Sequence, residues 1–103
     1  MLENLDAQSF AQRVNNDENA VVIDVRTPFE YDEGHLSGSL LIDINSPSFV
    51  NEIEKLDRAK NYYIYCRGGV RSWHAGNYML KQGFQSVAHL APGILGWDGP
   101  VEK

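Results

Sequence analysis

Four short runs of β-branched, aliphatic and aromatic residues are spaced along the chain, and more polar segments separate them. Runs of this kind are typical of strands that are buried on both faces of a sheet. They predict strands over 20–25 (AVVIDV), 40–44 (LLIDI), 61–66 (NYYIYC) and 86–90 (SVAHL). Because helical segments alternate with these strands, the pattern favours an α/β domain with a mostly parallel central sheet, flanked by helices on both faces.

The segments between the runs carry signals for the start and the end of helices. Asp6 is typical of a helix N-cap, and apolar residues follow it at helical spacing. Ser46 and Pro47 predict the cap and the first residue of a second helix. A third helix is predicted over 70–83, where a glycine ends it, and a short helix or turn over 93–99.

Length and charge narrow the class of protein. The chain has 103 residues, so we expect residues 1–103 to form a single domain. Its formal net charge of -5 disfavours nucleic acid or an anionic membrane surface as the main partner. One cysteine cannot form an internal disulfide, so the fold needs no oxidising compartment. The first residues lack a signal-peptide pattern and the apolar runs are too short to span a bilayer, so we expect a cytoplasmic location.

The single cysteine lies in the segment CRGGVRS, residues 66–72, between a predicted strand and a predicted helix. Ligands of open parallel sheets bind outside the carboxyl ends of the strands. Gly68 and Gly69 can take backbone angles that other residues avoid, so the loop can curl and point its amides inward as an anion site. We expect the thiolate of Cys66 to occupy this site, with a lowered pKa. The alternative is a buried structural thiol, which needs neither the glycines nor the arginines beside it.

A second group of charged residues follows the first predicted strand. Asp24 and Arg26 close that strand at the edge where Cys66 is expected, and Glu30 and His35 lie in the predicted loop that follows. We interpret the group as an ion-pair network that orients the cysteine loop; a solvated turn with incidental charges is the alternative. An aspartate after three β-branched residues is expected to have a partner, which favours the network.

These stretches together resemble the rhodanese-like family of sulfurtransferases over nearly the whole chain. The family shows Asp-Val-Arg, a following Glu-Tyr or Glu-Phe, a Gly-His-Ile/Leu-x-Gly-Ala/Ser segment, a Cys-Arg-x-Gly-x-Arg-Ser/Thr loop and a closing Gly-x-x-x-Trp. The corresponding segments here are 24–26, 30–31, 34–39, 66–72 and 93–97. The order and spacing of the segments make the resemblance highly specific.

The resemblance implies an enzyme that moves a sulfane sulfur from a small anionic donor, such as thiosulfate, to cyanide or a thiol. Cys66 would carry the sulfur as a persulfide, and Arg71 would brace the loop, against Asp24 or Glu30, and offset negative charge. The residues expected to bind substrate are Arg67, Gly68, Gly69, Val70 and Ser72, with Arg67 meeting the anionic end of the donor. Ser72 would donate a hydrogen bond or cap the helix, and the cap is favoured. Neither a cofactor nor a metal is expected.

Two other classes of function remain open. Phosphatases and arsenate reductases of the type related to this fold place five or more residues between the cysteine and the arginine, whereas Cys66 and Arg71 have four between them. One fewer residue removes up to about 3.5 Å of chain, and the tighter ring suits one sulfur atom better than a tetrahedral oxyanion. The other class is a persulfide carrier or binding module that acts with a partner protein in a sulfur relay.

Several positions depart from the family pattern. Leu41 stands where an asparagine is common, and 91–92 is Ala-Pro where many members have Glu-Gly. Trp73 and His74 follow the loop, where smaller or more polar residues are frequent. These differences concern the substrate contacts and the rim of the pocket. Contact with substrate is the alternative for Trp73, His74 and His35, and a packing role is favoured for each.

Overall fold

The computed structural model describes residues 1–103 as one α/β unit built on a five-stranded sheet. The strands are β1 (Glu3–Leu5), β2 (Ala20–Asp24), β3 (Leu40–Leu41), β4 (Asn61–Tyr65) and β5 (Ser86–Leu90). The helices are α1 (Ala7–Asn15), α2 (Pro28–Glu33), α3 (Phe49–Glu54) and α4 (Val70–Lys81), followed by a 3-10 turn at Ile94–Gly96. All strand pairs are parallel, in the order β1-β5-β4-β2-β3, which confirms the predicted class of fold.

Two groups of buried apolar side chains cover the two faces of the sheet. On one face, α1 contributes Phe10, which packs with Tyr63 of β4. On the other face, α3 and α4 contribute Ile53 and Met79, which belong to the same cluster as Ile64 of β4. Burial on both faces explains why the central strands are continuous apolar runs without polar alternation.

Two elements were not predicted from the apolar pattern. β1 is a three-residue edge strand with one buried side chain, so its sequence contains no apolar run. α2 occupies six residues of the stretch predicted to be a loop. Its start is nevertheless encoded, because the Thr27 hydroxyl accepts a hydrogen bond from the Glu30 amide and the Glu30 carboxylate accepts one from the Thr27 amide. This capping box, with Pro28 as the first helical residue, is a signal that apolar spacing does not carry.

Two predicted boundaries are wrong. α3 begins at Phe49, and Ser46 and Pro47 lie in the turn before it, where the Ser46 hydroxyl is used within the turn itself. β3 has two residues where five were predicted. The amides of Ile42 and Ile44 still donate to the carbonyl oxygens of Asp24 and Val25, but β2 itself ends at Asp24, so the regular pairing stops there.

The other helix signals are confirmed. The Asp6 carboxylate accepts a hydrogen bond from the Ser9 amide at 2.8 Å and caps α1. α4 begins at the predicted residue, and Gly83 follows its end with a φ of 93°. No helix in the chain has both the length and the apolar character needed to cross a lipid bilayer.

The carboxyl ends of β2 and β4 meet at one edge of the sheet. The register pairs Asp24 with Tyr65, the last residues of the two strands. Cys66 follows Tyr65 directly, so the cysteine loop and the charged stretch after β2 leave the sheet side by side.

Candidate active site

The loop from β4 to α4 curls around the sulfur atom of Cys66. Sγ accepts hydrogen bonds from the amide of Gly69 at 3.1 Å and from the amide of Ser72 at 3.4 Å. The Ser72 hydroxyl oxygen lies 3.5 Å from the same sulfur. Because the side chain of Cys66 is buried, these groups replace the water that would otherwise solvate a thiolate.

Two opposing influences act on the pKa of the Cys66 thiol. Burial raises the pKa because it disfavours the charged form. Hydrogen bonds from the hydroxyl and amide of Ser72, and from the amides of Gly69 and Gly68, lower it. The hydrogen bonds outweigh burial, so the pKa of Cys66 lies below its ordinary value and the equilibrium is shifted towards the thiolate.

Gly69 provides the backbone conformation that closes the ring. Its φ of 103° is left-handed, and a Cβ at this position would collide with the carbonyl oxygen of Ala91. Gly68 does not have a positive φ and has open space around it. The expectation that both glycines use special backbone angles is therefore corrected for Gly68, because a single left-handed residue completes the turn into α4.

Backbone hydrogen bonds from the 3-10 turn at Ile94–Gly96 fix the carbonyl groups of the cysteine loop. The amide of Ile94 donates to the carbonyl oxygen of Cys66 at 2.9 Å, and the amide of Leu95 donates to that of Arg67 at 3.1 Å. Gly93 allows this approach, since a Cβ there would collide with the Arg67 carbonyl group. The loop carbonyls are thus bonded to the turn, whereas loop amides are free to face the sulfur.

Arg71 of α4 forms a two-pronged ion pair with Glu30 of α2. Nη1 lies 2.7 Å from Oε1 and Nη2 lies 3.0 Å from Oε2. The Arg71 guanidinium lowers the pKa of Glu30 to about 2. Of the two partners that the sequence left open for Arg71, the hydrogen bonds are made by Glu30 and not by Asp24.

The structure divides the predicted charged network into separate groups. Asp24 and Arg26 form a buried ion pair, with Nη2 2.7 Å from Oδ2, and Arg26 also donates to the Gly34 carbonyl oxygen at 2.7 Å. His35 stacks on Tyr31 with ring centroids 3.7 Å apart, as expected of a packing role. Because Arg26 is satisfied locally and His35 faces Tyr31, Glu30 is the member of the network that contacts the cysteine loop.

Ser72 has a different role from the one favoured by sequence. The N-cap of α4 is Gly69, so the prediction that Ser72 caps the helix is wrong. The Ser72 hydroxyl lies inside the first turn, 2.8 Å from Nδ1 of His89 on β5, and Nε2 of His89 lies 2.7 Å from Oδ1 of Asn4. Sequence reasoning missed His89, although a polar residue within the apolar run SVAHL is the same kind of signal that identified Asp24.

Comparison with known proteins assigns the chain to a family. Residues 6–99 match the family model described as Rhodanese-like domain. The chain belongs to this family. This rhodanese-like domain is 36% identical to a protein of Allochromatium vinosum named Sulfurtransferase, over 94% of this chain and 89% of the relative. It is 37% identical to the tRNA uridine(34) hydroxylase of Oceanobacillus iheyensis, over 97% of this chain and 32% of the relative, so it spans about a third of that protein.

A solved structure agrees with the fold of the rhodanese-like domain. The crystal structure of a rhodanese-related protein from Thermoplasma volcanium superimposes with a TM-score of 0.83 at 27% identity, and 97% of each chain is covered. This agreement confirms the predicted architecture. The family and the named sulfurtransferase support sulfur-transfer chemistry for the domain.

The rim around the sulfur of this rhodanese-like domain is exposed. Arg67 and Val70, both predicted to bind substrate, are exposed, and Val70 keeps 69% of its surface accessible. Trp73 is 49% exposed and His74 is exposed as well. Their rings meet edge to face with centroids 5.1 Å apart, so the two residues pack against each other at the surface and not in the core. Both lie on the outer side of α4, whose inner side is formed by residues such as Met79.

The chemistry available at the rhodanese-like site follows from its donors. N–H and O–H groups of the loop surround one sulfur atom, and a guanidinium group lies close enough for its charge to interact with that of Cys66. Such a site stabilises an anion on sulfur. No group of three His, Cys, Asp or Glu side chains is arranged so that it could hold a metal ion.

Proposed function

We propose that this rhodanese-like domain is a sulfurtransferase that moves a sulfane sulfur from a small anionic donor, such as thiosulfate, to cyanide or a thiol. The observation that carries the proposal is the ring of donors around Cys66, in which the Gly69 and Ser72 amides both point at Sγ. The proposal takes residues 1–103 as one domain that carries the whole site.

The reaction has two displacement steps. The thiolate of Cys66 attacks the outer sulfur of thiosulfate, a new S–S bond forms, and the S–S bond of the donor breaks as sulfite leaves with its electron pair. The product is a persulfide on Cys66. Cyanide then attacks the terminal sulfur and leaves as thiocyanate, or a thiolate attacks it and leaves as a persulfide. In both cases the electron pair of the broken bond returns to Cys66 as thiolate.

The loop residues have distinct roles in this scheme. The amides of Gly68, Gly69 and Ser72 stabilise the thiolate and then the persulfide. Arg71, held by Glu30, braces the first turn of α4 and offsets negative charge. The exposed side chain of Arg67 meets the anionic end of the donor, and Val70 borders it.

Intact-mass spectrometry tests the proposal directly. After incubation with thiosulfate and removal of excess donor, we expect the protein to gain the mass of one sulfur atom, and we expect a Cys66→Ser variant to gain nothing. The loaded form should persist until cyanide or a small thiol is added, because the chain has no second cysteine that could release the sulfur by forming a disulfide. Absence of the added mass, with turnover still observed, would replace the persulfide with direct transfer in a ternary complex.

A second candidate is a persulfide carrier that passes sulfur to a partner protein. The exposed apolar side chains of Val70 and Trp73 favour it, since they lie three residues apart at the start of α4, beside the cysteine loop, where a protein acceptor would cover them. A Trp73→Ser variant distinguishes the two. Transfer to cyanide should be unchanged under both functions, whereas transfer to a protein thiol should fall if the domain is a carrier.

A further inference from the structure

A row of hydrogen bonds leads from the sulfur of Cys66 to the surface at the edge of the sheet. Sγ of Cys66 lies 3.5 Å from Oγ of Ser72, Oγ lies 2.8 Å from Nδ1 of His89, and Nε2 of His89 lies 2.7 Å from Oδ1 of Asn4. Cys66, Ser72 and His89 are buried, and Asn4 is exposed. The row therefore joins the buried nucleophile to solvent through polar side chains.

The sheet register builds the outer part of this row. β1 and β5 run in parallel with Asn4 opposite His89, so the two side chains lie on the same face. The neighbours Ala88 and Leu90 belong to the cluster on the α1 face, so His89 points to the opposite face, towards Ser72 in the first turn of α4.

The contacts assign the protons along the row. Oδ1, the side-chain amide oxygen of Asn4, can only accept a hydrogen bond. Nε2 of His89 therefore carries the ring proton, and Nδ1 has the free lone pair. Ser72 then donates its hydroxyl proton to Nδ1 and offers a lone pair to the S–H group of Cys66. Burial lowers the pKa of His89 below its ordinary value, which favours the neutral ring.

These proton positions suit a thiol at Cys66. A thiolate has no proton to share with Oγ of Ser72, so the contact between the two atoms is favourable only if the Ser72 hydroxyl donates to the sulfur. If the Ser72 proton turned to the sulfur and His89 did not change, Nδ1 and Oγ would face each other at 2.8 Å with no proton between them. Two buried acceptors in contact without a donor are strongly unfavourable, so His89 has to change together with Cys66.

We infer that His89 is a positioning residue that changes tautomer when Cys66 loses its proton, so that the Ser72 hydroxyl donates to the sulfur. The proton of Sγ moves to Oγ of Ser72, the former Ser72 proton moves to Nδ1, and Nε2 releases its proton to water beside Asn4. The Asn4 amide turns and donates to Nε2. One proton leaves the protein, and the ring stays neutral.

The charged groups near the sulfur do not interfere with this row. Arg71 of α4 acts on Cys66 by its charge and is itself paired with Glu30 of α2. The hydrogen bonds of His89 go to Ser72 and Asn4, and burial accounts for the shift of its pKa.

Nitrogen NMR of the wild-type protein tests the inference. The protonated and unprotonated ring nitrogens of a neutral histidine resonate far apart, and His89 is distinguished from His35 and His74 by the signals that a His89→Asn variant loses. We expect Nε2–H while Cys66 is a thiol and Nδ1–H above the midpoint of its ionisation. A Cys66→Ser variant should keep Nε2–H throughout. Detection of Nε2–H in the wild-type thiolate would overturn the inference.

Paired variants show whether His89 acts through Ser72. His89→Phe removes both ring nitrogens, so the Ser72 hydroxyl is free to donate to the Gly69 carbonyl, 3.2 Å away, instead of to the sulfur. We expect alkylation of Cys66 by iodoacetamide at neutral pH to slow several-fold in His89→Phe. We expect His89→Asn, which retains a polar group near the position of Nδ1, to recover most of the rate.

The comparison of wild type with His89→Phe, repeated in a Ser72→Ala background, distinguishes a positioning role of His89 from a packing role. If His89 acts through the Ser72 hydroxyl, His89→Phe should cause no further loss there. An equal loss in both backgrounds would assign the effect to packing and overturn the inference. Thermal unfolding of each variant confirms that folded proteins are being compared.

The result separates this inference from the proposed function. The tautomer change with the thiolate is independent of sulfur transfer, whereas its extension to the persulfide rests on the proposed function. We expect Nδ1–H also after loading with thiosulfate. If Cys66 gains no sulfur from thiosulfate, the proposed sulfurtransferase function is refuted. The change of the His89 tautomer on ionisation of Cys66 is then still tested by the NMR measurement.

Discussion

Two arginine–carboxylate pairs lie near the carboxyl edge of the sheet and differ in burial and in what they connect. The side chains of Asp24 and Arg26 are 0% and 6% exposed, and the pair belongs to a single strand end. The side chains of Glu30 and Arg71 are 23% and 27% exposed, and the pair joins α2 to the first turn of α4. The two pairs therefore have similar chemistry and different consequences when they are broken.

The difference shows where a charge contributes to folding and where it contributes to the site. A buried pair confined to one segment holds the local backbone, here through the Gly34 carbonyl, and leaves an unpaired buried charge if one partner is removed. A partly exposed pair contributes less to stability because water screens it. Its main effect is on the position of the site, since Glu30 holds Arg71 and with it the first turn of α4, which carries the Ser72 amide.

Removing the buried carboxylate should have the largest effect. Asp24→Asn keeps the shape of the side chain and leaves the Arg26 guanidinium without its counter-charge. We expect a loss on the order of 3 kcal/mol in the free energy of unfolding, measured by urea denaturation. Glu30→Gln is the matched control and should lose clearly less. Equal losses would remove the distinction between the pairs.

Replacement of the bridging arginine should reduce the rate of persulfide formation. Arg71→Lys keeps the charge and cannot make both hydrogen bonds to Glu30, so we expect a roughly tenfold slower reaction, equivalent to about 1.4 kcal/mol. Arg67→Lys keeps the charge of an exposed group that makes no such pair, and the reaction should slow much less. Rates of thiosulfate-dependent mass gain provide the comparison. Similar rates in both variants would show that the two-pronged contact is not required.

The stability that the partly exposed Glu30–Arg71 pair contributes should also depend on pH. Glu30 has a pKa of about 2 in the folded protein against an ordinary 4.5. Because the folded value is the lower one, the stabilisation is complete above the unfolded pKa and is lost as pH falls from about 4.5 towards 2. We expect wild type to exceed Glu30→Gln by on the order of 1 kcal/mol near neutral pH, after allowance for solvent screening. A difference that stays constant down to about pH 3 would contradict this assignment.

The smallest effect is expected on phosphatase activity, which should be absent. Both terminal nitrogens of Arg71 are bonded to Glu30, and the ring around Cys66 is one residue tighter than in the phosphatase type of loop. Hydrolysis of an aryl phosphate should stay at background in wild type and in Glu30→Gln. Hydrolysis that appears in Glu30→Gln and requires Cys66 would mean that the ion pair, and not the ring size, excludes phosphate.

The apolar runs predicted β2, β4 and β5 well because those strands are buried on both faces, so that burial alone dictates their composition. β1 could not be found in this way, since it is held by backbone pairing with β5 and by the side chain of Leu5. α2 was missed although Thr27 and Glu30 encode its capping box, because none of its six residues is buried and no apolar spacing marks the helix. Local polar signals and backbone pairing are the parts of the fold that hydrophobic patterns do not report.

The candidate site was predicted more completely in its residues than in its contacts. The motif identified Cys66 and the loop, but only the folded chain shows that Arg71 pairs with Glu30 and that Ser72 contacts His89. Both contacts join segments that are distant in sequence. Their partners are set by the packing of α2 and α4 and by the position of β5, which no local pattern contains.

The contact between the cysteine loop and the 3-10 turn has a consequence for the newly made protein. The carbonyl groups of Cys66 and Arg67 obtain their donors from Ile94 and Leu95, which leave the ribosome after the loop does. At ordinary rates of translation the interval is on the order of seconds. During that time the carbonyl groups of the loop lack these donors, so the curled conformation that points amides at the sulfur is not yet held in place. We therefore expect the pKa of Cys66 to fall only once the turn has emerged and bonded to the loop.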